Sequence, residues 1–116
     1  MQHEAKYHDD NSFITLTYND KNLPDNETLV KEDLQKFFKR LRKSVYPDKI
    51  RYYASGEYGD IFQRPHYHAI VFNYWPDDAI PQRLDNSTIW KSKKLEDIWS
   101  KGFDAIVTGK HISILT

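Results

Sequence analysis

The chain has 116 residues, enough for one domain that buries roughly two thirds of its unfolded surface without a covalent staple. It has no cysteine, which excludes disulfides and thiolate zinc sites, and no apolar run of the length that crosses a membrane as a helix. Its 17 basic and 17 acidic residues cancel, so it lacks the overall positive charge usual in nucleic-acid binders.

The charge is unevenly placed. Residues 1–30 hold 2 basic and 6 acidic residues (net −4), and residues 31–51 hold 8 and 3 (net +5). Residues 52–116 hold 7 and 8 (net −1). A local basic patch is therefore compatible with a neutral whole. Met1-Gln2-His3-Glu4 is not the start of a signal peptide, and the expectation is a cytosolic protein.

In chain order, residues 1–11 are polar and expected to fray. Phe13 to Tyr18 reads as a strand, with Phe13, Thr15 and Thr17 on one face and Ile14, Leu16 and Tyr18 on the other. Asn19 to Glu27 reads as a loop. Residues 31–45 read as a helix, because Leu34, Phe37, Phe38 and Leu41 follow the helical apolar spacing. Its exposed Lys36, Lys39, Arg40 and Lys43 read first as a solvated face. Ile50 to Ser55 reads as a second strand, and Tyr58 to Gln63 as a turn. Arg64 to Phe72 reads as a third strand, antiparallel to the second because so short a connection cannot make a parallel crossover. Asn73 to Ile89 reads as a long loop with Pro76 and Pro81. Lys93 to Lys101 reads as a helix stopped by Gly102, and Phe103 to Val107 as a fourth strand. A turn at Thr108-Gly109-Lys110 and a short apolar stretch, His111 to Thr116, end the chain. The order is β-α-β-β-α-β.

The chemistry gathers around the third strand. His66 and His68 are two residues apart, so both point to one face. The spacing alone fits a solvated pair as well as a pair of metal ligands. Glu57 joins Arg51, Tyr53 and Ser55 on one face of the second strand if that strand runs on unbulged; Gly56 could break the parity. Two imidazoles and a carboxylate would suit a borderline divalent ion. Arg51, Tyr53 and Arg64 are candidate nucleic-acid contacts, as phosphate clamps or a stacking surface; for Arg51 and Tyr53 a packed strand face is an equal alternative. Thr15 and Thr17 border the patch. His3, His8 and His111 read as incidental.

Phe13-Ile14-Thr15-Leu16-Thr17-Tyr18, Gly56-Glu57-Tyr58-Gly59 and Arg64-Pro65-His66-Tyr67-His68, in that order, resemble the replication initiators of the gokushovirus-like microviruses, which are single-stranded DNA phages. These belong to the HUH endonucleases. Phe38-Lys39-Arg40-Leu41-Arg42-Lys43 and Ile98-Trp99-Ser100-Lys101-Gly102-Phe103 resemble the same family, so the likeness runs over about residues 12–107.

The resemblance implies an α+β single domain, an antiparallel open sheet of four to five strands with helices on one face, in the RRM or ferredoxin-like arrangement. It implies Mn or Mg held by His66, His68 and a third ligand, matched here to Glu57. It implies binding of single-stranded or hairpin origin DNA in the cytoplasm of an infected bacterium, with host replication proteins as further candidate partners and no membrane. It also implies nicking and joining through a phosphotyrosine, formed by a tyrosine downstream of the last strand. This sequence has no tyrosine after Tyr74. The expectation is therefore an HUH domain over 1–116 that stops before its nucleophile. Tyr18, Tyr58 and Tyr67 lie near the motifs, but packing explains each of them better. Three rivals are weighed: a non-haem iron oxygenase, against which the strand order argues; a non-catalytic nucleic-acid-binding module; and a related transposase or relaxase domain.

Overall fold

Strands that alternate between buried and half-buried positions have one face toward a core and one toward water. Two stretches do so along their whole length: β1 (Ser12–Tyr18) and β3 (Pro65–Phe72). In the computed structural model, which describes residues 11–59, 64–84 and 87–108, they lie side by side in the middle of an antiparallel sheet. The expected frayed N-terminus, the apolar stretch from His111, and His3, His8 and His111 themselves fall outside the described residues. The other strands are β2 (Arg51–Tyr58), β4 (Ile80–Leu84), β5 (Ser87–Lys91) and β6 (Gly102–Thr108), in the spatial order β2-β3-β1-β6-β5-β4. The four strands β2-β3-β1-β6, with helices α1 (Lys31–Val45) and α2 (Lys93–Trp99), form the expected split βαβ unit.

Both helices lie on one face. Ile14, Leu16, Tyr18, Tyr67, Val71 and Ile106 from the sheet pack with Phe37, Phe38 and Leu41 of α1 and Leu95 and Trp99 of α2. Trp99 is fully buried, its ring against Tyr18, Phe37 and Tyr67, and its Nε1 donates to the Thr17 carbonyl at 2.8 Å. The start of α1 has no side-chain cap. Instead the Tyr67 hydroxyl bonds both the Val30 N–H, at 2.8 Å, and the Val30 carbonyl, at 2.9 Å. Tyr18 completes this network by donating to Asp33 at 2.7 Å and meeting the Tyr67 hydroxyl at 2.9 Å. Arg40, from the basic face of α1, donates through Nε to the Ile98 carbonyl at 2.8 Å, near the end of α2.

Three expectations are corrected. The sheet has six strands, not four to five, because residues 73–89 are not one loop: β4 and β5 form a hairpin beside β6. Pro81 is compatible with β4 because β4 is an edge strand, where a missing N–H need not break a ladder. The second strand runs on to Tyr58, past the turn expected there. Helix α2 ends at Trp99, with Ser100 in the left-handed region at φ 60°, rather than at Gly102. Gly102 opens β6, where a Cβ would collide with the Thr17 carbonyl and approach Asn19 N to 2.7 Å. Only glycine allows β6 to lie that close to the end of β1.

Among the described residues no helix covers the other face of the sheet, and none is long and apolar enough to cross a membrane. Strand register lays out this open face in rows. Phe103, Thr17, His66 and Glu57 lie abreast; then Ala105, Thr15, His68 and Ser55; then Val107, Phe13, Ile70 and Tyr53.

Candidate metal centre

β2 and β3 pair without interruption from Arg51↔Phe72 to Tyr58↔Pro65. Gly56 therefore causes no bulge, and Glu57 keeps the parity of Arg51, Tyr53 and Ser55. Gly56 has a different reason to be glycine. It points to the helix side, where a Cβ would come within 2.8 Å of Leu29 and 3.2 Å of Tyr67.

With that register Glu57 stands opposite His66 and one row from His68. Its Oε2 lies 3.0 Å from His66 Nε2 and 2.8 Å from His68 Nε2. The three candidate ligand atoms all lie within 4.8 Å of one another. Metal–ligand bonds of about 2.1 Å at right angles place neighbouring ligands about 3 Å apart, which the two Glu57 separations match. The histidine side chains are 18% and 29% exposed and Glu57 is 57% exposed, so the cluster is open to an ion and to a further ligand.

The other ring nitrogens are held. His66 Nδ1 lies 3.3 Å from the Arg64 carbonyl, which can only accept, so Nδ1 carries the proton. His68 Nδ1 lies 3.0 Å from Thr15 Oγ1, which the β1–β3 register places directly opposite it. With a proton on Nδ1, a neutral imidazole turns the Nε2 lone pair toward the Glu57 carboxylate. Two acceptors then face each other at hydrogen-bond distance unless a proton or a cation lies between them. An outer hydrogen bond on Nδ1 is the usual way a metal-binding histidine is oriented. The bonds from His66 and His68 hold the Glu57 carboxyl below the usual carboxylate range, so it stays an anionic ligand.

The other sequence candidates are not brought to the cluster. Arg51 shares its face but is six residues from Glu57 along β2, roughly 20 Å. Tyr53 is 71% exposed on the same face, two rows from Glu57. Arg64 bonds the Tyr18 carbonyl at 3.1 Å and pairs with Asp20 at 3.2 Å. Tyr18 and Tyr67 face the helices, and burial with hydrogen bonds to Tyr67 and Asp33 pushes the Tyr18 phenol far up. Tyr58 points to the same side and accepts the Leu29 N–H at 3.2 Å. The roles missed by sequence reading are the Arg64 carbonyl and the Thr15–His68 bond. The carbonyl leaves no trace in residue identity. The bond requires knowing which residue of β1 lies opposite His68.

The comparisons with known proteins agree with this picture. Residues 11–113 match the family model for replication-associated proteins of the ORF2 type. The replication-associated protein VP4 of Bdellovibrio phage phiMH2K is 35% identical over 109 residues, covering 86% of this chain and 34% of that protein. The replication-associated protein ORF4 of Chlamydia phage 1 is 35% identical over 109 residues, 86% of this chain and 27% of its own length. The replication-associated protein ORF2 of Spiroplasma virus 4 is 40% identical over 108 residues, 83% of this chain and 33% of its own length. The chain thus spans about a third or less of these relatives. No solved structure matches it. With the family model covering nearly the whole chain and the expected motifs gathered on one sheet face, the chain belongs to the ORF2-type family of replication-associated proteins, alongside those of the microviruses.

Proposed function

We propose that this domain binds single-stranded DNA on the open face of its sheet through a divalent ion held by Glu57, His66 and His68, and that it serves the nicking and joining steps that initiate rolling-circle replication. The observation that carries the reading is the convergence of three ligand atoms whose histidines have their Nδ1 atoms bonded elsewhere. Two imidazoles and one carboxylate favour Mn²⁺ or Mg²⁺ with ligand positions to spare. When bound, such an ion supplies Lewis acidity to a phosphate oxygen and orients the phosphate for in-line attack.

The chain's own residues do the rest. Arg64 and Thr15 orient the two imidazoles, and Glu57 brings the one negative charge. Arg51 and Tyr53, on the same face, would contact a neighbouring phosphate and base; Arg64, already paired with Asp20, is the weaker DNA contact. The phosphotyrosyl step requires a tyrosine on the metal side. Of the described strand tyrosines only Tyr53 is on that side, and it is two rows from Glu57. We therefore assign the domain the roles of metal and phosphate binding, and assign the covalent step to the whole protein.

Fluorescence anisotropy with a labelled single-stranded oligonucleotide tests the reading. Binding should be tighter in Mn²⁺ than in EDTA, and the difference should vanish in His66→Ala and His68→Ala. Equal binding in EDTA would favour the non-catalytic binding module instead.

A further inference from the structure

Beside the metal cluster, on the same open face, the surface sinks into a recess of about 240 Å³ lined by Phe13, Tyr53, Ser55, His68, Ala69 and Ile70. This is below the roughly 300–1,000 Å³ of a site that encloses a whole drug-sized ligand. Its walls are ring faces and aliphatic chains. The Phe13 and His68 rings lie 5.6 Å apart at an angle of 56°, Ile70 is abreast of Tyr53, and Ser55 brings a hydroxyl. Tyr53 is largely unburied, although a ring of that size on a strand is normally packed.

We infer that this recess takes one unpaired nucleobase, stacked on Tyr53, of a DNA strand whose neighbouring phosphate is held at the Glu57–His66–His68 cluster. The inference rests on the reading above and deepens it. His68 belongs to both features, turning Nε2 to Glu57 and its ring to the recess. Tyr53 and Ser55 are successive open-face residues of β2, about 7 Å apart, and Arg51 is one such step beyond Tyr53. A cation site, an apolar slot and a guanidinium therefore follow one another along one strand. That is the alternation of phosphate, base and phosphate in a nucleic-acid strand, and neither a lipid nor an apolar helix would match it. A slot without a dense set of hydrogen-bonding groups accepts different bases, because every base has a face to stack.

The test uses two fluorescent probes of equal length, decathymidylate and a ten-unit abasic deoxyribose-phosphate strand, with the wild-type chain, Tyr53→Ala and Tyr53→Phe. Tyr53→Ala should weaken decathymidylate binding roughly 5- to 150-fold, the span of one base–aromatic stack. It should leave abasic binding unchanged, and Tyr53→Phe should restore decathymidylate binding. Equal decathymidylate affinity in wild type and Tyr53→Ala, or an equal loss on both probes, overturns the recess. The same probes in EDTA separate the two ideas. If the Tyr53 effect persists while Mn²⁺ makes no difference, the recess stands and the metal-dependent reading falls. If Mn²⁺ is required but Tyr53→Ala costs nothing, the recess falls and that reading stands.

Discussion

Thr15→Val removes the hydroxyl bonded to His68 Nδ1 at 3.0 Å and changes little else. Valine has nearly the shape of threonine and a high strand propensity, and position 15 is half-buried in the middle of β1. The fold should therefore persist. The expected effect falls on the metal. A neutral hydrogen bond contributes about 0.5–1.5 kcal/mol, and one polarised by charge about 1.5–3 kcal/mol. Only the difference between the free and ion-bound states enters the affinity, so the loss is about 1–1.5 kcal/mol, or roughly 5- to 13-fold in Kd. Water can reach a side chain that is 29% exposed and replace part of the bond, which places the effect near the low end of the roughly 10- to 100-fold seen for such outer partners. Calorimetric titration with Mn²⁺ measures it. Thr17→Val is the control: it lies on the same strand and face, and its side chain bonds neither histidine. A Thr15→Val affinity within twofold of wild type, or an equal loss in Thr17→Val, would refute the claim that Thr15 orients His68.

Three further predictions concern the scaffold. Tyr67→Phe removes the hydroxyl that joins Val30 to Tyr18 and should cost about 1–3 kcal/mol in urea unfolding; an unchanged midpoint would mean that water replaces it. Gly102→Ala drives a Cβ into the Thr17 carbonyl and should cost about 3 kcal/mol or more, with wild-type stability contradicting the close approach of β6 and β1. Asp104 is buried, and burial raises its carboxyl pKa, against the pull of the Ser92 N–H it accepts at 2.8 Å. A raised folded pKa means that its contribution is full below the unfolded value and lost as pH rises through the folded value. Asp104→Asn keeps the acceptor for Ser92 and should match or exceed wild-type stability at pH 7, with the difference shrinking toward pH 4. A clear loss at pH 7 would show that the charge itself is needed.

The sequence made the middle of this fold legible because local signals and tertiary packing agree there. In α1 the apolar spacing of Leu34, Phe37, Phe38 and Leu41 faces the sheet, and the helix ends at Val45 as expected. Alternation in β1 and β3 set the two faces of the sheet, and with them the shared direction of His66 and His68. The hairpin was illegible because its cue conflicts with its context: Pro81 reads as a strand breaker unless β4 is known to be an edge. Gly56 and Gly102 both suggested local events, a bulge and a helix stop. Each instead answers a close approach from elsewhere in the chain, Leu29 in one case and the backbone of β1 in the other. The Thr15–His68 bond and the recess depend on register between strands far apart in sequence, which no local pattern reports.

The central claim is that Glu57, His66 and His68 hold one divalent ion. Calorimetric titration of the metal-free chain with Mn²⁺, beside Glu57→Ala, His66→Ala and His68→Ala, tests it most directly. The predicted result is saturable binding at one site per chain, abolished or severely weakened by each substitution while thermal unfolding shows that the variants remain folded. Binding that survives in Glu57→Ala would remove the carboxylate from the ligand set. No saturable binding by the wild-type chain would contradict the claim, and would leave two histidines and a glutamate joined only by protons on an open sheet.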